Sequence, residues 1–449
     1  MRISARTDFA LHLSALLWSV FALRLFAADA SAHRVVVLTP HPEEIRIEFQ
    51  RGFTNWHWKH FNSAAEVEWR DYGGSGDAQR IVESEFKSKP DGIGIDIFFG
   101  GGPEPFLALS GQKLLLPHDA APGILDGIPR VANGVELYDP QRMWFGACLA
   151  SFGILQNTRV HELTHLPRAS RWEDLAKPEL YGWVGAGDPR NSGTMNNMFE
   201  AFLQFYGWEQ GWAKLTQIAG NVRAFDRLSS STAKECALGQ VAYAFCIDYY
   251  GFIQVNVAGQ TNMELVLPED FTAISPDGVA ILKGAPNRET AGRFLDFLLS
   301  DEGQLLWYLP AGAKDGPVSH SLERLVIRPE LYTTRGSESR IRQNPFTLRQ
   351  NFKYDARLAG KRRGVVRSLF GALLIDPHPE LKRAWKRLIE RGLPEVDLVE
   401  FGRPPVTEAE ATKMIADGWS KRENAELRLR KGIEWQRQAL EKYRRLAAR

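Results

Sequence analysis

The sequence predicts an α/β protein made of two successive series of strand, loop and helix units, finished by a basic helical extension at the C-terminus. Three observations carry this. Short β-branched or alternating runs are followed repeatedly by glycine- or proline-rich loops and then by helical spacing. An apolar extended stretch at residues 143–156 separates a first such series from a second. From about residue 331 onward the pattern changes to amphipathic helices. With 449 residues, 44% hydrophobic and 24% charged, the chain has material for several packed units, which excludes a single small module and wholesale disorder. The net charge of +2 gives no general reason for a nucleic-acid partner. It hides an asymmetry, because residues 331–449 hold 27 basic and 15 acidic residues, a net of +12, and leave −10 for the remainder.

Residues 1–32 read as a secretory signal peptide. Arg2 and Arg6 precede an apolar run, and two small-x-small sites follow at Ala28-Asp29-Ala30 and Ala30-Ser31-Ala32. A membrane anchor is the alternative, but His12 and Arg24 cut the clean apolar part below the ~20 residues a span needs. The first series then begins. Arg34-Val-Val-Val-Leu38 is a strand, Thr39-Pro-His-Pro-Glu-Glu44 a turn, and helical spacing enters at Ile45 and Phe49. Residues 67–72 alternate as a strand, Gly73-Gly-Ser-Gly-Asp77 breaks it, and 78–86 are helical. Residues 93–99 form a third strand that ends in Gly100-Gly-Gly102, with a helix over 105–110. After the extended stretch and a short helix at 172–175 comes the second series: a strand over 183–187, the loop Asp188-Pro-Arg-Asn-Ser-Gly-Thr194, and helices over 195–206 and 208–220. A short strand over 223–225 precedes Ser229-Ser-Ser-Thr232, which caps the helix carrying Cys236. A strand over 241–247 ends at Asp248-Tyr-Tyr-Gly251. Extended segments at 264–267 and 275–282 and a helix over 288–299 read as a return to the first series. In the extension, Thr407-Glu-Ala-Glu410 is a capping box before long amphipathic helices. A packing arm with a solvated basic surface is the expected role, and a surface for an anionic membrane or partner is the alternative.

Several loops place small residues at helix starts, where backbone N–H groups lack intrahelical partners and the helix dipole favours negative charge. The expected anion-binding residues are Ser75 and Gly76; Ser192, Gly193 and Thr194, with Asp188 opening their loop; Ser229 and Ser230; and the nest of Gly100, Gly101 and Gly102. Each also reads as an ordinary cap or turn. His41 sits between prolines after the first strand, and Tyr249 and Tyr250 follow the last strand of the second series, where Gly251 would help the backbone break so that both rings turn to one cleft. Phenolates are hard ligands for a highly charged cation and histidine adds a nitrogen, while half-buried aromatics and a turn histidine are the plain alternative. Cys148, Cys236 and Cys246 read as separate buried hydrophobes, with a Cys236–Cys246 bridge the alternative. His161 and His165 read as a surface turn. No Gly-x-Ser-x-Gly, His-Glu-x-x-His or Walker-type motif occurs, so no enzyme is expected.

Taken in order, Val36-Val-Leu-Thr-Pro-His-Pro-Glu-Glu44, Gly73-Gly-Ser-Gly-Asp77, Asp96-Ile-Phe-Phe-Gly-Gly-Gly102, Asp188-Pro-Arg-Asn-Ser-Gly-Thr194 and Asp248-Tyr-Tyr250 resemble the extracellular solute-binding proteins of ABC importers, in their ferric-iron-binding branch. The resemblance covers about residues 34–310. It implies a two-lobed periplasmic-binding-protein type II fold with a crossing-strand hinge, closing on a ligand and presenting it to a membrane permease. The implied layout is a first lobe over 33–142 and 277–330, a second over 143–276, and a helical extension over 331–449. It also implies an exported, soluble, periplasmic monomer with metal ligands at His41, Tyr249 and Tyr250. Some relatives place an acidic ligand where this chain has Gly100-Gly-Gly102, so carbonate or phosphate would complete the shell of a bound Fe(III). Other members of the superfamily bind phosphonates, sugar phosphates or thiamine, and the anion seats suit those ligands too. A secreted hydrolase and a ligand sensor docking through the basic tail are the remaining alternatives.

Overall fold

The computed structural model describes residues 33–132, 134–227, 229–341, 343–347 and 352–449; the expected signal segment lies outside the described residues. The first half opens with β1 (Arg34–Leu38), α1 (Glu43–Phe61), β2 (Glu66–Arg70), α2 (Ser75–Ser88), β3 (Ile97–Phe99) and α3 (Pro103–Gly111). The run Val-Val-Val-Leu in β1 is buried because both faces of the sheet are covered. Val35 and Val37 face α1 residues Ile45 and Phe49, while Val36 and Leu38 face Ala78 and Val82 of α2 and Phe106 of α3. That alternation is the period-2 geometry of a strand. β1 pairs in parallel with β2 and β3.

Two long strands carry the chain between the halves. β4 (Phe145–Asn157) is buried throughout, and the second half follows it with β5 (Val184–Gly187), α4 (Gly193–Tyr206), α5 (Trp208–Asn221), β6 (Val222–Asp226), α6 (Ser229–Ala237), β7 (Tyr243–Ile247), α7 (Asp248–Ala258) and β8 (Met263–Val266). The chain returns on β9 (Ile274–Leu282), equally buried and antiparallel to β4 from Ile274 opposite Ser151 to Val279 opposite Phe145, with an irregularity between Asp277 and Gly278. The resulting sheet runs β2-β1-β3-β9-β4-β7-β5-β6. Then α8 (Arg288–Leu299) and α9 (Asp301–Tyr308) pack back on the first half through Phe294, Phe297 and Trp307.

The extension consists mainly of α10 (Ala356–Phe370), which continues into a π-helical turn at Gly371–Ile375, then α11 (His378–Glu390), α12 (Glu395–Gly402), α13 (Glu408–Ala416) and α14 (Ala425–Ala448). Its apolar residues do not form a separate core. Val365, Leu369, Phe370, Trp385, Trp435 and Tyr443 join one cluster with Phe199, Phe202 and Trp212 of the second half. The capping box at Thr407 and Glu410 is formed as expected.

Three expectations need correction. The third strand is only Ile97–Phe99, because Asp96 is used to accept the Val36 N–H at 2.8 Å and to hold Asn287. The tyrosine pair lies in the first turn of α7 rather than at a broken strand end. Gly251 is therefore no hinge: a methyl there would come within 2.8 Å of Leu265, so the glycine admits close packing of α7 on β8. The three cysteines are free and buried, as expected, and the alternative Cys236–Cys246 bridge is not formed. Among the described residues no helix is long and apolar enough to cross a membrane.

Candidate functional site

The loops at the carboxyl ends of the strands enclose a cavity of about 280 Å³ between the halves. Its walls include the expected His41, Ser75, Gly101 and Gly102 from the first half, and Ser192, Gly193, Thr194, Ser230, Tyr249 and Tyr250 from the second. Sequence reading missed five others: Glu104, Asn197, Asp277, Arg324 and Arg363.

Three expected residues stand elsewhere. Gly100 lies behind the wall, at φ 109°, and a methyl there would sit 2.8 Å from the His41 ring, so this glycine makes room for the imidazole rather than for a ligand. Asp188 is buried and accepts from the Arg190 guanidinium and its backbone N–H at 2.8 Å, which holds the arginine in place. Gly76 faces an adjoining space described below. The side chain of Ser229 lies outside the described residues.

On the hinge side, the site is a closed charge network. Asp277, in the middle of β9, accepts from Arg324 Nη2 at 2.8 Å and from the Gly101 N–H, and faces His41 Nε2 at 3.1 Å. His41 Nδ1 meets Thr39 Oγ1 at 3.0 Å, so both imidazole nitrogens have protein partners. Burial works against the Asp277 charge, but Arg324 and the hydrogen bonds from His41 and Gly101 hold its carboxyl well below the usual carboxylate range. Arg324 also stands over the Tyr249 ring, 5.4 Å from its centroid. Burial pushes the Tyr249 phenol up to about 12 and raises Tyr250 as well, with Arg324 opposing the shift, so both are neutral near pH 7. Asp248 begins α7 and ties it to β4 by accepting from Ser151 N at 2.7 Å and Ser151 Oγ at 2.9 Å; burial raises its carboxyl to about 6.

Opposite this network, the N-termini of α2 and α4 converge from the two halves. A methyl at Gly193 would lie 3.7 Å from Ser75 Oγ and 3.8 Å from Arg363 Nη2, and one at Gly76 would lie 3.9 Å from the same Nη2. Ser192 caps α4 by accepting from Met195 N at 3.2 Å, whereas α2 has no side-chain cap, so its first N–H groups remain open. Arg363, on α10 of the extension, makes no hydrogen bond or ion pair with any described residue, and its Nε is buried. Arg324 Nε is likewise a buried donor with no described partner. Glu104 is the acidic wall residue nearest to Arg363; burial pushes its carboxyl up, and Tyr354 of the extension donates to it at 3.4 Å. Two helix N-termini, the Arg363 guanidinium and the Ser75 and Ser230 hydroxyls are groups that can receive a compact anion. Among the described residues no group of three or more His, Cys, Asp or Glu is arranged to hold a metal.

Residues 111–315 match the model of the bacterial extracellular solute-binding protein family. Among characterised sequences the chain is 25% identical over 348 residues to the phosphoglycerate transport regulatory protein PgtC of Salmonella typhimurium, covering 74% of this chain and 80% of the relative. It is 28% identical over 239 residues to an uncharacterized protein of Haemophilus influenzae, covering 52% and 66% respectively. Its fold is similar to that of the periplasmic binding protein AfuA from Actinobacillus pleuropneumoniae, solved with fructose-6-phosphate, at a TM-score of 0.55 and 17% identity over 87% of this chain and 98% of the other. The apo ferric ion-binding protein A of Pasteurella haemolytica gives a TM-score of 0.58 and 17% identity over 76% and 97%. These likenesses bear out the expected two-lobed fold.

Proposed function

We propose that the cargo of this chain, whose residues 111–315 match the bacterial extracellular solute-binding protein family, is a small phosphorylated organic molecule, gripped between the lobes by the N-termini of α2 and α4 and by Arg363, and handed to the permease of an ABC importer. The protein would be exported to the periplasm after loss of residues 1–32 and would do no covalent chemistry. The observation that carries this reading is Arg363, a half-buried guanidinium with no carboxylate of a described residue in ion-pair contact, at the meeting point of two helix N-termini and with only the charge of Glu104 near it. A cavity of about 280 Å³ sits at the low end of the usual range for ligand sites, of the order of 300–1,000 Å³, so the fit is to a short phosphate ester rather than a nucleotide. Two of the relatives' names agree with this, one being a phosphoglycerate transport regulatory protein and one holding fructose-6-phosphate, whereas the ferric ion-binding protein A bears on the second reading.

Ferric iron with a synergistic carbonate or phosphate is the second reading, favoured by the fact that His41, Tyr249 and Tyr250 line one cavity. It requires His41 to leave Asp277 or Thr39 and a phenol near 12 to lose its proton to the metal. Calorimetric titration of the protein starting at His33 separates the readings, using glycerol 3-phosphate, fructose 6-phosphate, 3-phosphoglycerate, inorganic phosphate and ferric citrate. Saturable heat with a phosphate ester, lost in Arg363→Gln, is the expected result. No heat with any ester, together with a visible tyrosinate-to-iron band from ferric citrate that disappears in the double variant Tyr249→Phe, Tyr250→Phe, overturns it in favour of iron.

A further inference from the structure

Behind the α2 and α4 N-termini lies a second, larger space of about 710 Å³, where the first half, the second half and the extension meet. Arg80 of α2, Arg190 of the second half, Arg363 and Arg367 of α10, and Arg428 of α14 line it. Glu104 and Arg363 belong to both spaces, and Gly76 lies next to Ser75, so this vestibule adjoins the ligand cavity directly. Gly360 leaves its wall open, while Gly364, one helical turn on, lets Ser420 pack close against α10.

The charges here are not balanced. Arg80 pairs with Asp77, and Arg190 is shared between Asp188 and Asp376 at 2.8 Å each. Arg428 is turned to the backbone, donating to Trp419 O and Lys421 O. Arg363 and Arg367 have no carboxylate of a described residue within ion-pair distance; Arg367 gives one N–H to the Arg190 carbonyl and nothing else. Burial lowers the Arg367 guanidinium, and the neighbouring charges of Arg363 and Arg80 add to that while Asp188 opposes it. Two adjacent half-buried cations with no carboxylate in ion-pair contact, and only the longer-range charges of Asp188 and Glu104 against them, gain from an anion that joins them.

We propose that the vestibule is a second anion subsite of the same ligand, so that the cargo carries two separated anionic groups: a phosphate between the helix N-termini and Arg363, and a carboxylate or second phosphate reaching Arg367 and Arg80. This deepens the proposed function and rests on it. It assigns the extension a part in ligand selection, since Arg363 and Arg367 sit one turn apart on one face of α10.

The test compares glycerol 3-phosphate, which has one anionic group, with 3-phosphoglycerate and 2,3-bisphosphoglycerate by calorimetry on the protein starting at His33, in native form and as Arg367→Gln and Arg80→Gln. The native protein is expected to bind a two-anion ligand about tenfold or more tightly than glycerol 3-phosphate, the size of one charge-assisted hydrogen bond. Arg367→Gln is expected to remove most of that ratio. Arg80 is exposed, so Arg80→Gln keeps the fold and should narrow the ratio by a smaller factor. Equal binding of one-anion and two-anion ligands, or a ratio unchanged in both variants, overturns the subsite while leaving the proposed function intact. Failure of all three esters to bind the native protein overturns both together.

Discussion

Two arginines reach the same cavity from opposite sides and are treated in opposite ways. Arg324, on the hinge side, is nearly fully buried and has Asp277 at 2.8 Å, with Asp248 close enough to add to its charge stabilisation. Arg363, on the extension side, is half-buried and has no carboxylate partner among the described residues. A buried charge with a counter-charge is part of the framework, because losing either member strands the other. A charge with no carboxylate in ion-pair contact, placed at two helix N-termini, is the proposed binding group for an anion from outside. Arg362, the residue before Arg363, makes the contrast within one helix turn: it bonds Glu200 at 2.7 Å deep in the second half.

This contrast breaks down if the framework charges prove dispensable. Asp277→Ala should cost about 3–5 kcal/mol of stability in urea unfolding, because Arg324 is left buried and unpaired. Arg362→Ala should cost a similar ~3–5 kcal/mol by stranding Glu200, and should also weaken ligand binding by loosening α10. Arg363→Gln should do the reverse. It is expected to leave the unfolding midpoint within about 0.5 kcal/mol of native, yet to reduce phosphate-ester affinity by the ~1.5–3 kcal/mol of a charge-assisted hydrogen bond. A large stability loss in Arg363→Gln would place it in the framework after all.

A finer test uses pH. The Asp248 carboxyl is raised to about 6 in the folded protein, above its ordinary value of 3.8, so the folded state holds its proton more tightly than the unfolded chain does. Its contribution is fully present below the unfolded value and is lost as pH rises through about 6. Asp277 has the opposite sign: its folded carboxyl is depressed, so its stabilisation is present above the unfolded value and is lost as pH falls toward the folded one. Asp248→Asn should therefore flatten the stability profile between about pH 4 and 6 without touching the acid limb below it. The smallest expected effect is at the far end of the extension, where Thr407→Ala removes a formed capping box and should cost ~1 kcal/mol with no change in binding.

Much of the frame was legible because it is local. Strand β1, the glycine breaks and the helix starts at Ser75 and Ser192 follow from short-range pattern, and these gave most of the cavity wall. What the pattern did not yield depends on pairing over long sequence distance. Arg363 lies in a Lys-Arg-Arg run where composition cannot separate the arginine that meets Glu200 from the one that meets nothing. Arg324 sits in an irregular stretch after α9, with no periodicity to orient it. One signal was available: Asp277 interrupts an otherwise apolar crossing strand, and a carboxylate there calls for a cation nearby. The tyrosine pair, expected as metal ligands, does line the cavity, but its local geometry was misjudged because Asp248 starts a helix that the preceding strand pattern concealed.

The chain crosses between the halves on β4 and β9, and among the described residues of the later chain Ile341 and Phe346 pack on the first half while Phe352 and Tyr354 pack on the second. Two neighbouring strands define an axis about which the halves can swing. The start of the extension adds a tie between the halves. Its latches are on both sides, with Tyr354 donating to Glu104 of the first half and the Asp355 N–H to Gln204 of the second at 2.7 Å. Widening the cleft must therefore break the Tyr354 contact at the very carboxyl that shares a wall with Arg363, which makes the dwell time of the cargo, and not only its affinity, a property written into the extension.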